Sequence, residues 1–87
     1  MKYKIVPGVI LTSVGDSYFL ISADKTIRVN ETVSFYWKQL EKGADETELA
    51  ASATGYYEIE NPETLIIDIE RMINAFLEMG ILKRDIE

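Results

Sequence analysis

The chain has 87 residues, of which 47% are hydrophobic and 28% are charged, as is ordinary for a folded protein with one compact core. It contains neither cysteine nor histidine, which excludes disulfides, thiolate chemistry and imidazole chemistry. The formal net charge of −6 opposes binding to the phosphates of nucleic acids. The N-terminus lacks the apolar segment of a signal peptide, and no apolar run is long enough to cross a bilayer. We therefore expect a single domain over residues 1–87, located in the cytoplasm.

The first third of the chain predicts three strands. Residues 9–14 and 18–22 are rich in β-branched and aromatic side chains and flank a turn-prone sequence at residues 15–17, which is typical of a β-hairpin. Residues 26–29 alternate between polar and apolar side chains, which indicates a third strand with one wet face. The sequence therefore predicts a small antiparallel sheet.

Two helices are predicted next. Asn30 is a good N-cap for the first helix, and Gly43 ends it. Its expected buried side consists of Val33, Tyr36, Trp37 and Leu40. The second helix opens at Asp45, with Glu48 three residues later in a variant of the capping box. Its expected buried side consists of Leu49, Ala53 and either Tyr56 or Tyr57.

A third helix is predicted over residues 62–79, with Asn61 as N-cap, proline at the first helical position and Gly80 at the end. Its apolar side chains fill a wide arc made of Leu65, Ile66, Ile69, Ile73, Phe76 and Leu77, with Met72 and Met79 extending one side of it. Strands followed by helices predict an α+β fold, in which a three-stranded antiparallel sheet precedes a three-helix bundle in the order β-β-β-α-α-α. Such an arrangement is also described as winged-helix-like.

The stretch at residues 26–40 resembles the signature of the PqqD-like family. That signature has a strand ending in an aliphatic residue and asparagine, then threonine, then an aromatic or aliphatic residue before tryptophan, then leucine; here these are Val29, Asn30, Thr32, Tyr36, Trp37 and Leu40. The likeness continues through the glycine-containing break at residues 41–45 and ends at residues 76–82, so it covers nearly the whole chain. Val33 departs from it, because members commonly carry a small residue there.

The resemblance implies a domain that binds the leader segment of a ribosomally made precursor peptide and presents it to a modifying enzyme, often a radical S-adenosylmethionine enzyme. In such domains the leader adds a strand to the third strand and lies against the third helix. The site residues that this implies are Lys25, Thr26, Ile27, Arg28 and Val29 from the strand and Ile66, Ile69, Arg71, Ile73 and Leu77 from the helix. The same arc would equally result if the helix simply covered the sheet and both other helices.

Catalysis and metal binding are not expected from the acidic groups of the chain. Asp45, Glu46 and Glu48 begin a helix, where acids favour the helix dipole, and we expect them to be solvated. The acids at residues 58–63 lack the ligand order of a calcium loop. We therefore predict a binding protein that is not an enzyme and needs no cofactor.

Two other functions stay open at this point. A winged-helix DNA-binding regulator has the same set of elements, but residues 62–79 carry four acids and one arginine, which does not suit a recognition helix. The other is a protein-interaction subunit with no peptide ligand. The sequence does not decide the precursor, the modification, the oligomeric state or the flank of the third helix that faces the bound peptide.

Overall fold

Five strands and three helices form the part of the chain described by a computed structural model, residues 2–56 and 62–85. In chain order they are β1 Tyr3–Ile5, β2 Ile10–Val14, β3 Ser17–Ile21, β4 Thr26–Val29, α1 Glu31–Glu41, α2 Glu46–Tyr56, α3 Pro62–Met79 and β5 Leu82–Arg84. The architecture is α+β, and the three predicted strands and three predicted helices are confirmed as β2 to β4 and α1 to α3. The short strands β1 and β5 were not predicted.

The predicted sheet is antiparallel with the order β2-β3-β4. Between β2 and β3 the chain turns at Gly15 and Asp16, and Gly15 has a φ of 61°. A positive φ at the first loop residue alone is typical of a type II′ turn, whose twist matches that of the two strands. Because β3 is central, β2 and β4 are the edges of this sheet.

The ends of the helices follow the capping rules. The Asn30 side chain accepts a hydrogen bond of 2.8 Å from the Val33 amide, as predicted. Asp45 and Glu48 exchange backbone-to-side-chain bonds, with the Glu48 amide donating to the Asp45 carboxylate at 2.9 Å. Gly80 ends α3 in a Schellman motif, in which the Ile81 amide donates to the Phe76 carbonyl. The predicted cap Asn61 lies outside the described residues.

The second sheet joins β1 to β5 in antiparallel register, with Tyr3 opposite Arg84 and Ile5 opposite Leu82. Each strand has only three residues, which is too short for a periodic pattern to appear in the sequence. Backbone bonds continue this ladder at both ends, from the Val6 amide to the Ile81 carbonyl and from the Asp85 amide to the Lys2 carbonyl. The two strands therefore fasten the N-terminal segment to the end of α3.

The core lies between the inner face of the β2-β3-β4 sheet and the three helices. Trp37 is 1% exposed, and its ring meets that of Phe76 edge to face, with centroids 5.5 Å apart. Other large side chains that are buried almost completely include Leu20, Leu49, Ile69 and Ile81. The prediction that Trp37 belongs to the core is confirmed. The expectation that Tyr56 contributes to the buried side of α2 is wrong, because Tyr56 is 66% exposed and stacks on Phe35; Tyr57 lies outside the described residues.

Candidate functional site

The outer edge of β4 offers unpaired backbone groups. Within residues 2–56 and 62–85, β4 pairs with β3 on one side and with no strand on the other. The Ser22 amide donates to the Lys25 carbonyl, and antiparallel bonding pairs alternate along the ladder. Ile27 and Val29 therefore turn their backbone groups toward β3. Thr26 and Arg28 direct their N–H and C=O groups toward the open side, where an additional strand can pair with them.

The side chains of β4 alternate as predicted. Ile27 and Val29 are partly buried and contact the hydrophobic core, whereas Thr26 and Arg28 are exposed. The Arg28 guanidinium donates to the Ser17 hydroxyl at 3.2 Å across the outer face of the sheet. The open edge is thus lined by aliphatic side chains on its inner side and by polar ones on its outer side.

The start of β4 lies against the C-terminal end of α3. The Lys25 ammonium donates to the Met79 carbonyl at 2.9 Å, which is a favourable place for a cation because the helix dipole is negative there. Met79 also lines a hollow of about 230 Å³ with residues 22–25.

One apolar stripe along α3 consists of Leu65, Met72 and Met79, which are spaced by seven residues and therefore lie on the same side of the helix. Leu65 and Met72 are partly buried, and Met79 is 38% exposed. We call these three side chains the Leu65/Met72/Met79 stripe; its end lies beside β4.

The predicted helix residues lie on a different part of α3. Ile73 lines a hollow with Tyr3, Glu46, Glu70 and Asn74, on the side of β1 and the start of α2. Ile66 lies seven residues before Ile73, and Leu77 lies seven after Glu70, so both belong to that side of the helix. Ile66 is 44% exposed and Leu77 is partly buried.

The other predicted helix residues differ in their solvent exposure. Ile69 and Ile73 are core residues with 1% and 2% exposure, so they offer almost no surface to a ligand. Arg71 lies two residues from each of them and is exposed on the outer side of the helix. Lys25 and the four residues of β4 thus lie along one edge of the sheet. The five predicted helix residues do not form one surface with that edge. Their role in binding stays a prediction, one that this placement does not favour.

Sequence reasoning gave no role in binding to the Leu65/Met72/Met79 stripe. Its spacing of seven residues was visible in the sequence. The contact that brings the end of α3 beside the start of β4 is the bond from Lys25 to the Met79 carbonyl, and it joins residues 54 positions apart. No local pattern carries that information.

A larger hollow of about 710 Å³ lies at the opposite end of β4. Its walls come from the turn at residues 15–18 and from the segment at residues 28–31, where β4 passes into α1. It includes the cation Arg28 and the acids Asp16 and Glu31. The open edge therefore runs between two hollows, and a segment paired with β4 can extend beyond both ends of the strand.

The acids at the start of α2 are exposed or partly exposed, as expected, and they also have partners that the sequence did not predict. The Lys2 ammonium bonds to the Glu48 carboxylate and lies 4.0 Å from the Asp45 carboxylate, and the Tyr3 hydroxyl donates to Glu46. Burial, followed by the bond to Glu46, raises the pKa of Tyr3 to about 12. The Glu48 amide, as the main cause, lowers the pKa of Asp45, and the bond to Glu48 raises that of Lys2. These acids hold β1 against α2, and they lie away from the edge of β4.

Residues 2–56 and 62–85 contain no cluster of three or more acids that is suited to hold a metal ion. No helix in the same ranges has the length and hydropathy to span a membrane.

Comparison with known proteins identifies the fold. No family model matches the chain, and no curated protein matches it. The solved structures that are similar to it over nearly their whole length include two complexes. TbiB1 in complex with the TbiA(beta) leader peptide has a TM-score of 0.82 at 19% identity, with 97% of this chain and 99% of that chain covered. Lasso peptide synthetase B1 complexed with the leader peptide has a TM-score of 0.81 at 17% identity, with 94% and 98% covered. The chain thus has the fold of these two proteins.

Proposed function

We propose that this protein binds the leader segment of a ribosomally synthesised precursor peptide as an added strand on β4. The observation that carries the proposal is the open edge of β4, whose Thr26 and Arg28 backbone groups face outward beside the end of an apolar stripe. Two structures with this fold are complexes with leader peptides, which supports the same ligand class for this chain.

The binding follows from β-augmentation. Main-chain hydrogen bonds from Thr26 and Arg28 supply affinity that is independent of sequence, since any extended segment has matching groups. Alternate side chains of the added strand point inward, toward Ile27, Val29 and the Leu65/Met72/Met79 stripe. Apolar residues at alternate positions of the leader are therefore preferred.

Charge contributes mainly to the encounter. Lys25 and Arg28 are exposed cations at the open edge, in a chain of net charge −6. An acidic leader residue close to Arg28 would add a surface ion pair, worth up to about 1 kcal/mol. Such pairs change the association rate and the choice of partner more than the affinity.

The modification itself belongs to a partner enzyme in this proposal, such as a radical S-adenosylmethionine enzyme. The chain has no histidine or cysteine and works in the cytoplasm as a carrier of the peptide, without a cofactor of its own. Incubation with the precursor alone should leave the peptide mass unchanged. A modified product formed without any second protein would contradict the assignment of the chemistry to a partner.

The decisive experiment compares Arg28→Pro with Arg28→Ala. Both variants lose the guanidinium, but only proline removes the outward N–H, and its ring also obstructs an added strand. We expect Arg28→Ala to weaken leader binding a few-fold and Arg28→Pro to weaken it at least about tenfold, measured by calorimetric titration. Equal affinities of the two variants would refute pairing at β4.

Two controls accompany this comparison. Ser13→Pro places proline on β2, the other edge of the same sheet, and should leave leader affinity unchanged. The melting temperatures of all variants must stay near that of the parent, because proline can also unfold a small domain. A duplex DNA titrated in parallel tests the regulator alternative. Binding of the duplex that falls steeply with salt, together with no response to the leader, would favour that alternative.

A further inference from the structure

The opposite edge of the sheet, at β2, is also open. In the described part of the chain, β2 pairs with β3 and with no further strand. The register sets Ile10 opposite Ile21, Thr12 opposite Phe19 and Val14 opposite Ser17. With the two-residue loop at Gly15 and Asp16, these are the hydrogen-bonded pairs of the ladder. The backbone groups of Leu11 and Ser13 therefore point to the open side.

This edge lacks the features that usually protect an edge strand. Natural proteins blunt such edges with charged side chains, proline or bulges. Residues 10–14 contain no charge and no proline, and all five pair regularly with β3. A hollow of about 730 Å³ lies beside Ile10 and Leu11, with β1 and the end of α1 as its other walls.

The outer face of β2 is apolar and exposed. Ile10 is 57% exposed and Val14 is 69% exposed, which places both among the most exposed large apolar side chains of the described residues. Thr12 lies between them on the same face. Phe19 and Ile21 of β3 lie on that face as well and are partly buried. Two apolar side chains thus flank one small polar side chain along an unpaired edge.

The strand is complementary to a second copy of itself. Consider two β2 strands that pair in antiparallel fashion, with the Thr12 residues of the two copies opposite each other. Leu11 of one copy then lies opposite Ser13 of the other, and the outward N–H and C=O groups of these two residues can bond to each other. The same register sets Ile10 against Val14 and the two Thr12 side chains against each other. Each contact occurs twice, as an isologous interface requires. Because β2 contains no charged residue, this pairing brings no like charges together, although the chain as a whole has a net charge of −6.

We infer that two copies of this chain pair through their β2 edges into a continuous six-stranded antiparallel sheet. Such pairing leaves β4 free at both outer edges, so each copy keeps its own open edge for a peptide. The dimer therefore carries two equivalent peptide-binding edges, and its formation does not depend on whether a leader is the ligand.

The test introduces a positive charge in one variant and a negative charge in another, at the residue that lies on the symmetry axis of the dimer. Thr12→Lys places two ammonium groups directly across the axis, and Thr12→Glu places two carboxylates there; like charges in that position are destabilising. The parent should dimerise with increasing concentration in sedimentation velocity. Each variant alone should dimerise at least about tenfold more weakly. An equal mixture of the two variants should regain dimers, which native mass spectrometry identifies as mixed pairs.

Thr26→Lys is the matched control, because it makes the same change on the outer edge of β4. It should leave dimerisation unchanged, and thermal melts exclude unfolding as the cause of any loss. A parent that stays monomeric up to millimolar concentration would overturn the inference. So would a dimer that tolerates Thr12→Lys, or variants whose mixture forms no mixed pairs. A dimer lost through Thr26→Lys would place the contact at β4 instead.

Discussion

The bond from the Tyr3 hydroxyl to Glu46 provides a quantitative test of how β1 is held. Tyr3 is 6% exposed, and its hydroxyl donates to a carboxylate at the start of α2. Tyr3→Phe keeps the buried ring and removes only this bond. Hydrogen bonds to charged groups are worth about 1.5–3 kcal/mol net, and Glu46 can regain water because it is only partly buried. We therefore expect the free energy of unfolding to fall by about 1–2 kcal/mol.

Alkaline pH gives the same interaction a second signature. The pKa of Tyr3 rises from 10.0 to about 12 in the folded chain, chiefly through burial and then through Glu46. Because the folded value lies above the unfolded value, the contribution is complete below about pH 10 and is lost as pH rises through about 12. The parent should lose more stability than Tyr3→Phe across this pH window, so the plots of unfolding free energy against pH for the two proteins should converge.

The assay is thermal and urea unfolding followed by circular dichroism between neutral pH and pH 12. For a domain of this size, the expected loss lowers the melting temperature by about 4–16 °C. Tyr18→Phe is the control, since the Tyr18 side chain lies on the inner face of β3 and its hydroxyl forms no hydrogen bond within residues 2–56 and 62–85. If Tyr3→Phe matches the parent in both melting temperature and alkaline profile, the bond to Glu46 does not hold β1.

Two further substitutions test the core and the start of α2. Trp37→Ala removes a ring that is 1% exposed and packs against Phe76. It should lower the free energy of unfolding, measured with urea, by about 3–5 kcal/mol. A loss under about 1 kcal/mol would contradict this packing. Asp45→Ala removes the cap of α2 and should lower the melting temperature. Because the pKa of folded Asp45 is lowered, its contribution is present above the unfolded pKa of 3.8 and lost as pH falls through the folded value. The difference in melting temperature between the parent and Asp45→Ala should therefore shrink in acid. A difference that stays constant with pH would contradict this role of the Asp45 carboxylate.

Local chemistry in the sequence determined most of the elements. The Asn30 cap, the capping pair of Asp45 and Glu48, and Gly80 each act within a few residues, so the helix ends were predictable. The alternation in β4 was equally local. It predicted which side chains face the core. The choice of β4 as the candidate peptide-binding strand came from the resemblance to the PqqD-like family.

Only the tertiary structure decided the relations between distant segments. The pairing of Tyr3 with Arg84 and the bond of Tyr3 to Glu46 join parts of the chain that no short pattern connects. These contacts gave partners to acids that local reasoning assigned to solvent. The apolar arc of α3 was visible in the sequence, but a helix that is apolar on a wide arc does not specify its neighbours. The bond from Lys25 to the Met79 carbonyl and the hollow that Met79 shares with residues 22–25 place the end of α3 beside β4. Such placement depends on contacts between elements that are far apart along the chain.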